Sequence, residues 1–177
     1  MNQAKEVSIR PYSEADLSVL EKTLGNPSQM VYLNGSESEE KLRKRHEKYI
    51  AMSADPHNGC MFTIVVGTES TPAGNVGYWE TEWGGQKGWE TGWFVLPEFQ
   101  RRGIATAAMK KLIERLPNQG RRFLFAYPSV TNTPSNAICR KLGFALVGET
   151  TSEYPPKSGL SLRVNIWRLD LPAVMTI

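Results

Sequence analysis

The sequence predicts a single α/β domain, of the α+β kind, and three observations predict it. Residues 60–96 read as three strand-like runs parted by short turns containing Gly or Pro, an antiparallel meander. Beyond them, apolar runs alternate with two stretches of helical period. Between these regions lies Val95-Leu96-Pro97-Glu98-Phe99-Gln100-Arg101-Arg102-Gly103-Ile104-Ala105-Thr106, where a strand stops, the chain turns and a helix starts. A length of 177 residues suits one domain spanning 1–177, with its packed part from about Val7 to Leu171.

In chain order, Val7-Ser8-Ile9-Arg10 alternates like a short strand stopped by Pro11. Ser13 opens a helix, with Asp16 placed to close a capping box and Leu17, Leu20 and Leu24 forming its apolar stripe. Gly25-Asn26-Pro27 ends it. Ser36, with Glu39 three residues on, predicts a second capped start and a charged helix to about Met52, with Leu42, Tyr49 and Ile50 as its inner positions. Its charge reads as a solvated face laced with ion pairs, or as a surface for an acidic partner. Cys60 to Val66 is a buried strand, Asn75 to about Trp83 a second, and Trp89 to Leu96 a third. Gly92 within that third strand predicts a bulge or a close backbone approach. Trp79, Trp83, Trp89 and Trp93 all sit on this hairpin, either as an aromatic pocket or as ordinary cross-strand packing.

From Ile104 the apolar residues recur at Ala105, Ala108, Met109, Leu112, Ile113 and Leu116, one helical face, closed by Pro117 and Gly120. Arg122 to Tyr127 is a strand, Asn132 to Gly143 holds a helix, and strands follow from Phe144 and from Leu162 to Leu171. The tail Ala173-Val174-Met175-Thr176-Ile177 is apolar, suited to a partner subunit or to its own surface.

The helix at Ile104 begins with the wrong charge. A helix N-terminus already carries partial positive charge and unpaired N–H groups, yet Arg101 and Arg102 add two cations there. Gly103 permits a sharp turn and close approach to those N–H groups. The arrangement suits an anion such as a phosphate; two solvated arginines beside an ordinary turn are the simpler reading.

Composition narrows the classes. A net charge of +3 is far from the dense basic patches of a nucleic-acid binder, so no nucleic-acid partner is expected. Two distant cysteines, Cys60 and Cys139, indicate reduced thiols and a cytoplasmic setting. His46 and His57 lack neighbours at metal-ligand spacing, so no metal is expected. Met1 to Arg10 lacks a signal-peptide core, and no apolar run reaches membrane-spanning length.

Gln100-Arg101-Arg102-Gly103-Ile104-Ala105 resembles the acyl-CoA-binding signature of the GNAT superfamily of N-acetyltransferases, Q/R-x-x-G-x-G/A. The block Asn132-Thr133-Pro134-Ser135-Asn136-Ala137-Ile138-Cys139-Arg140-Lys141-Leu142-Gly143-Phe144 resembles that superfamily's later helix, in the expected order. The resemblance implies a mixed, mostly antiparallel central sheet with helices on both faces and a splayed cofactor cleft. It implies acetyl-CoA as donor, with Gln100, Arg101, Arg102, Gly103, Ile104, Ala105 and Thr106 on the pyrophosphate and Asn132 on the pantetheine chain. It further implies a bulge in the strand holding Gly92, with backbone around Phe94 and Val95 bonding the pantetheine arm. The loop from Met30 to Gly35 is implied to touch the acceptor. Many members carry a tyrosine five residues before the motif phenylalanine, as general acid; here that residue is Cys139. The run Asn132-x-x-Ser135-Asn136-Ala137 with Glu153-Tyr154 is similar to the branch that acetylates ribosomal-protein N-termini, which implies Ser135 and Glu153 as acid and base, with a one-residue difference in spacing. Ser135 also reads as a helix cap.

Acyl transfer to an amine needs an anchored donor, a neutral amine, a stabilised oxyanion and a thiolate helped to leave. A backbone N–H near Val95 is a candidate oxyanion donor. Glu80, Glu82, Glu90 and Glu153 are the candidate bases, with Glu90 opening the strand that faces the cleft. The expected partner is a small-molecule or peptide primary amine, and the expected assembly a monomer or homodimer. The competing reading is a catalytically silent acyl-CoA-binding module.

Overall fold

The computed structural model describes residues 6–117 and 119–172; the apolar tail from 173 lies outside them. Its elements are β1 (Val7–Pro11), a 3-10 turn (Glu14–Asp16), α1 (Leu17–Lys22), α2 (Glu39–Ala54), β2 (Gly59–Val66), β3 (Thr71–Trp83) and β4 (Gln86–Val95). After a second 3-10 turn (Pro97–Phe99) come α3 (Ile104–Glu114), β5 (Phe123–Ala126), α4 (Thr133–Lys141), β6 (Ala145–Glu153) and β7 (Ser161–Asp170). The seven strands form one sheet in the order β1-β2-β3-β4-β5-β7-β6. Only β4 and β5 run parallel; the other neighbours are antiparallel. This is the mixed, mostly antiparallel sheet that the resemblance implies, with the β2–β3–β4 meander read from the residues at its centre.

Strand alternation sends side chains to two cores. On one face Cys60, Phe62, Ile64 and Val66 of β2 join Val76, Tyr78 and Trp89 against Ile104, Ala108, Met109 and Leu112 of α3 and Cys139 of α4. On the other, Met61 packs with Leu20, Leu24, Met30 and Leu42 from α1, α2 and their connection. With both faces covered, every residue of β2 is buried.

Several boundaries move. Asp16 does close on Ser13, accepting from its N–H at 2.9 Å, but it also takes both Arg10 guanidinium N–H groups at 2.7 Å, and the first turn is 3-10. The second helix is capped by Ser38 rather than Ser36: Ser38 Oγ accepts from the Lys41 N–H, and Glu37 is instead buried against Arg45. No bulge occurs at Gly92. The β3–β4 register runs unbroken from Gly74–Val95 to Trp83–Gln86, and the irregularities fall between Ile64 and Val65 and between Leu146 and Gly148. Gly92 serves the close approach instead, since a Cβ there would stand 3.1 Å from the Trp79 indole.

Candidate functional site

The cleft arises where two parallel strands part. β4 pairs with β5 only at Trp89–Leu124 and Glu90–Phe125, and β5 ends at Ala126 while β4 continues to Val95. The Leu96 N–H bonds the Ala73 carbonyl at 2.8 Å, which sets the alternation of the β3–β4 ladder. Phe94 therefore spends its backbone groups on Asn75, whereas Trp93 and Val95 turn theirs to the open side, where β5 no longer pairs. Phe94 thus brings its side chain to the cleft, and the facing backbone belongs to its two neighbours.

Two cavities, of about 600 and 490 Å³, open from this gap. The larger reaches the start of α3 and is lined by Val95, Gln100, Arg101, Gly103, Ile104, Ala105 and Thr106. Gly103 lies at φ 74° and Arg101 at φ 61°, so two left-handed residues bend the loop sharply before the helix. Left-handed geometry suits glycine and strains arginine, and such strain concentrates at ligand-binding turns. The first helical bond runs from the Ala107 N–H to the Gly103 carbonyl, leaving the N–H groups of Ile104, Ala105 and Thr106 without helical partners. A methyl group on Gly103 would meet nothing within 4 Å. Open space, three N–H groups, a positive helix end and Arg101 form a cradle that fits a pyrophosphate. Arg102 is exposed and stands outside the lining. Gln100 spans the wall, its Nε2 donating to the Val95 carbonyl at 2.9 Å and to Gln29 Oε1 at 2.8 Å.

The smaller cavity lies against the other core and is walled by Tyr49, Trp79, Trp83, Tyr127, Tyr154 and Glu90. Both readings of the tryptophans are realised on different residues. Trp79, Trp83 and Trp93 line the cavity, while Trp89 is fully buried in an edge-to-face pair with Tyr78. The two cavities share Gln29, Tyr32, Trp93, Phe94, Asn132 and Ser135, which mark their junction.

A model of the GNAT acetyltransferase domain matches residues 6–145. The chain belongs to the GNAT acetyltransferase family. No curated protein matches the sequence. Among solved structures, a ribosomal L7/L12 α-N-protein acetyltransferase in complex with coenzyme A superposes with a TM-score of 0.75 at 20% identity, covering 93% of this chain and 94% of that one. A Vibrio cholerae spermidine N-acetyltransferase in complex with CoA and spermine gives 0.73 at 17%, covering 93% and 95%. The Microcin C7 self-immunity acetyltransferase MccE in complex with acetyl-CoA and AMP gives 0.73 at 19%, covering 93% and 92%. At these identities the likeness establishes a shared GNAT fold.

Within that fold the predicted residues separate. Asn132 caps α4, its Oδ1 accepting the Ser135 N–H at 3.1 Å, so Ser135 is not the cap and keeps its hydroxyl at the junction. Glu90 lies in the smaller cavity, where burial pushes its carboxyl up to about 7 against hydrogen bonds from Trp79 and Thr81. Glu153 does not join Ser135: it is exposed, its carboxylate accepts the Gly159 N–H, and Ser152 and Tyr154 line the cavity on either side of it. Alternation along a strand end explains this, since neighbours point opposite ways. Arg45 also lines the cavity, but Glu37 holds it, with Nε to Oε2 at 2.9 Å. Glu90 is therefore the half-buried acid without a cationic partner among the described residues lining this cavity. Cys139 is fully buried, lines neither cavity, and burial raises its thiol to about 12.

Two contributors were given no role of their own in the sequence, although one sits in the later motif and the other in the Met30–Gly35 loop implied to touch the acceptor. Asn136 is a buried hub: Nδ2 donates to the Ser129 and Asn132 carbonyls, and Oδ1 accepts from Asn165 Nδ2 and Trp167 Nε1, all at 2.8–2.9 Å. It ties the start of α4, and so Asn132 and Ser135, to β7. Its place in the later motif was visible, but its partners lie about thirty residues away in β7. Tyr32 carries no motif at all.

Proposed function

We propose that this chain transfers an acetyl group from acetyl-CoA to a primary amine by direct attack within a ternary complex. One observation carries the reading: two cavities meet at the β4–β5 gap, one built for an anionic donor and the other holding a half-buried acid among aromatic walls.

The Ile104, Ala105 and Thr106 N–H groups hold the pyrophosphate with Arg101, while Gln100 keeps the Val95 wall in place. Backbone groups of Trp93 and Val95 line the path of the pantetheine arm, and the Val95 N–H faces the position where the oxyanion develops. Asn132 Nδ2 and the Ser135 hydroxyl orient the thioester at the junction. Glu90 takes the amine proton, directly or through one water. A carboxyl brought up to about 7 is half ionised at neutral pH, a useful poise for a general base acting on an ammonium. The acceptor enters from the aromatic cavity; a peptide N-terminus and a polyamine, the classes named for the solved neighbours, are the first to try.

Calorimetric titration with acetyl-CoA, followed by a thiol-release assay against an N-terminal serine peptide, spermidine and small amines, tests the reading. Micromolar binding with thiol release on adding one of these amines is the expected result. Absence of binding by the folded protein overturns it, and binding without turnover of any amine leaves the silent acyl-CoA-binding module in its place.

A further inference from the structure

Resting on that reading, the reaction still lacks a source for the proton that the departing sulfur requires. Six side chains line both cavities, and at the junction only Tyr32 and Ser135 carry a hydroxyl. Phenols titrate near 10 and alkyl thiols near 8.5, a close match for proton transfer, whereas an aliphatic alcohol is a far weaker acid. Cys139 is sealed in the core and cannot reach the sulfur.

The Tyr32 loop is held from both sides of the cleft. Gln29 accepts from Gln100 Nε2, which also holds the Val95 carbonyl, and Asn34 Nδ2 donates to the Tyr154 carbonyl at 2.8 Å. Within the loop, the Leu33 and Gly35 N–H groups close on the Met30 carbonyl at 3.0 and 3.2 Å, and Met30 is fully buried beneath it. The half-buried Tyr32 thus lines both cavities from a strap tied to β4 and to the end of β6.

We propose that Tyr32 is the general acid of the transfer. Glu90 takes one proton from the ammonium and passes it to solvent; the neutral nitrogen then forms its bond to the acetyl carbonyl carbon and yields its second proton to the same carboxylate. As the tetrahedral adduct collapses, the carbon–sulfur bond breaks, its electron pair stays on sulfur, and the Tyr32 hydroxyl gives that sulfur its proton. The tyrosinate regains a proton from solvent, so the products are the acetamide and the free thiol. Ser135 orients the thioester without donating.

The test is Tyr32→Phe, assayed with acetyl-CoA and with the acetyl thioester of a nitrothiophenol, whose thiolate leaves unprotonated. With acetyl-CoA, kcat should fall roughly 10²-fold while KM stays within about twofold, since the ring remains in place. The nitrothiophenyl donor should lose less than about threefold because it needs no acid. Equal losses on both donors would mean a structural role and overturn the assignment. So would an unchanged kcat, in particular if Ser135→Ala instead shows the donor-dependent loss. Failure of the unaltered protein to turn over acetyl-CoA with any amine overturns the acetyl-transfer reading itself, a result the variant comparison cannot mimic.

Discussion

Replacing Glu90 by glutamine separates what this carboxyl does to the fold from what it does for the reaction. Burial moves it from an ordinary 4.5 up to about 7, with the Trp79 and Thr81 hydrogen bonds pulling the other way. Between those pH values the folded chain keeps a proton that the unfolded chain has released. Stability changes with pH as protons bound unfolded minus protons bound folded, so the sign is negative and stability falls as pH rises through this window. Below 4.5 both states are protonated, and above about 7 both are ionised and the loss is complete. At about 1.36 kcal/mol per pH unit, the window from 4.5 to about 7 amounts to roughly 3 kcal/mol. Glutamine has the same shape and no charge to desolvate. Glu90→Gln should therefore match the parent in urea unfolding below pH 5 and exceed it by up to about 3 kcal/mol at pH 8. In the same variant kcat/KM should fall about 10²–10⁴-fold and lose its acid limb near 7. Parallel stability curves from pH 4.5 to 8 would refute the buried carboxyl, and undiminished activity would refute its use as the base.

The remaining expectations address the donor cradle, the hub and the core. Arg101→Ala should weaken acetyl-CoA binding by about 1.5–3 kcal/mol in calorimetry, whereas Arg102→Ala should change it by under about 0.5 kcal/mol at 0.15 M salt; equal effects would disprove the division between them. Asn136→Ala leaves four partners unpaired near the junction and should cost about 2–4 kcal/mol in denaturant unfolding, with Asn136→Asp failing to restore it because a carboxylate cannot donate to the Ser129 and Asn132 carbonyls. Cys139→Tyr should not create an acid at the cleft: the site is fully buried, and overpacking should destabilise by about 1–3 kcal/mol, with no gain in turnover.

The local signals were legible from residues alone. A helical stripe from Ile104, a glycine before it and two arginines at a helix start marked the loop before α3 as a candidate anion cradle, because the unpaired N–H groups of a helix start belong to a few consecutive residues; of the two arginines, Arg101 lines the cavity there and Arg102 does not. The meander was legible because its turns are short and its strands adjacent in sequence. Helix caps were less so: Ser36 and Ser38 both offer a hydroxyl, and burial of Glu37 against Arg45 decides which one starts α2. What tertiary structure alone decided is which candidates meet. Glu90 and Glu153 look alike in sequence, yet one is half-buried between aromatic walls and the other faces solvent at a strand end. The cleft exists because β5 stops at Ala126 while β4 runs on, a mismatch between strands whose paired positions, Trp89 with Leu124 and Glu90 with Phe125, lie 35 residues apart in sequence. Tyr32 lines the junction from a loop bonded across the cleft to Gln100 and Tyr154, both remote in sequence. Period and capping are written within a few residues, whereas desolvation and convergence depend on segments that sequence order keeps far apart.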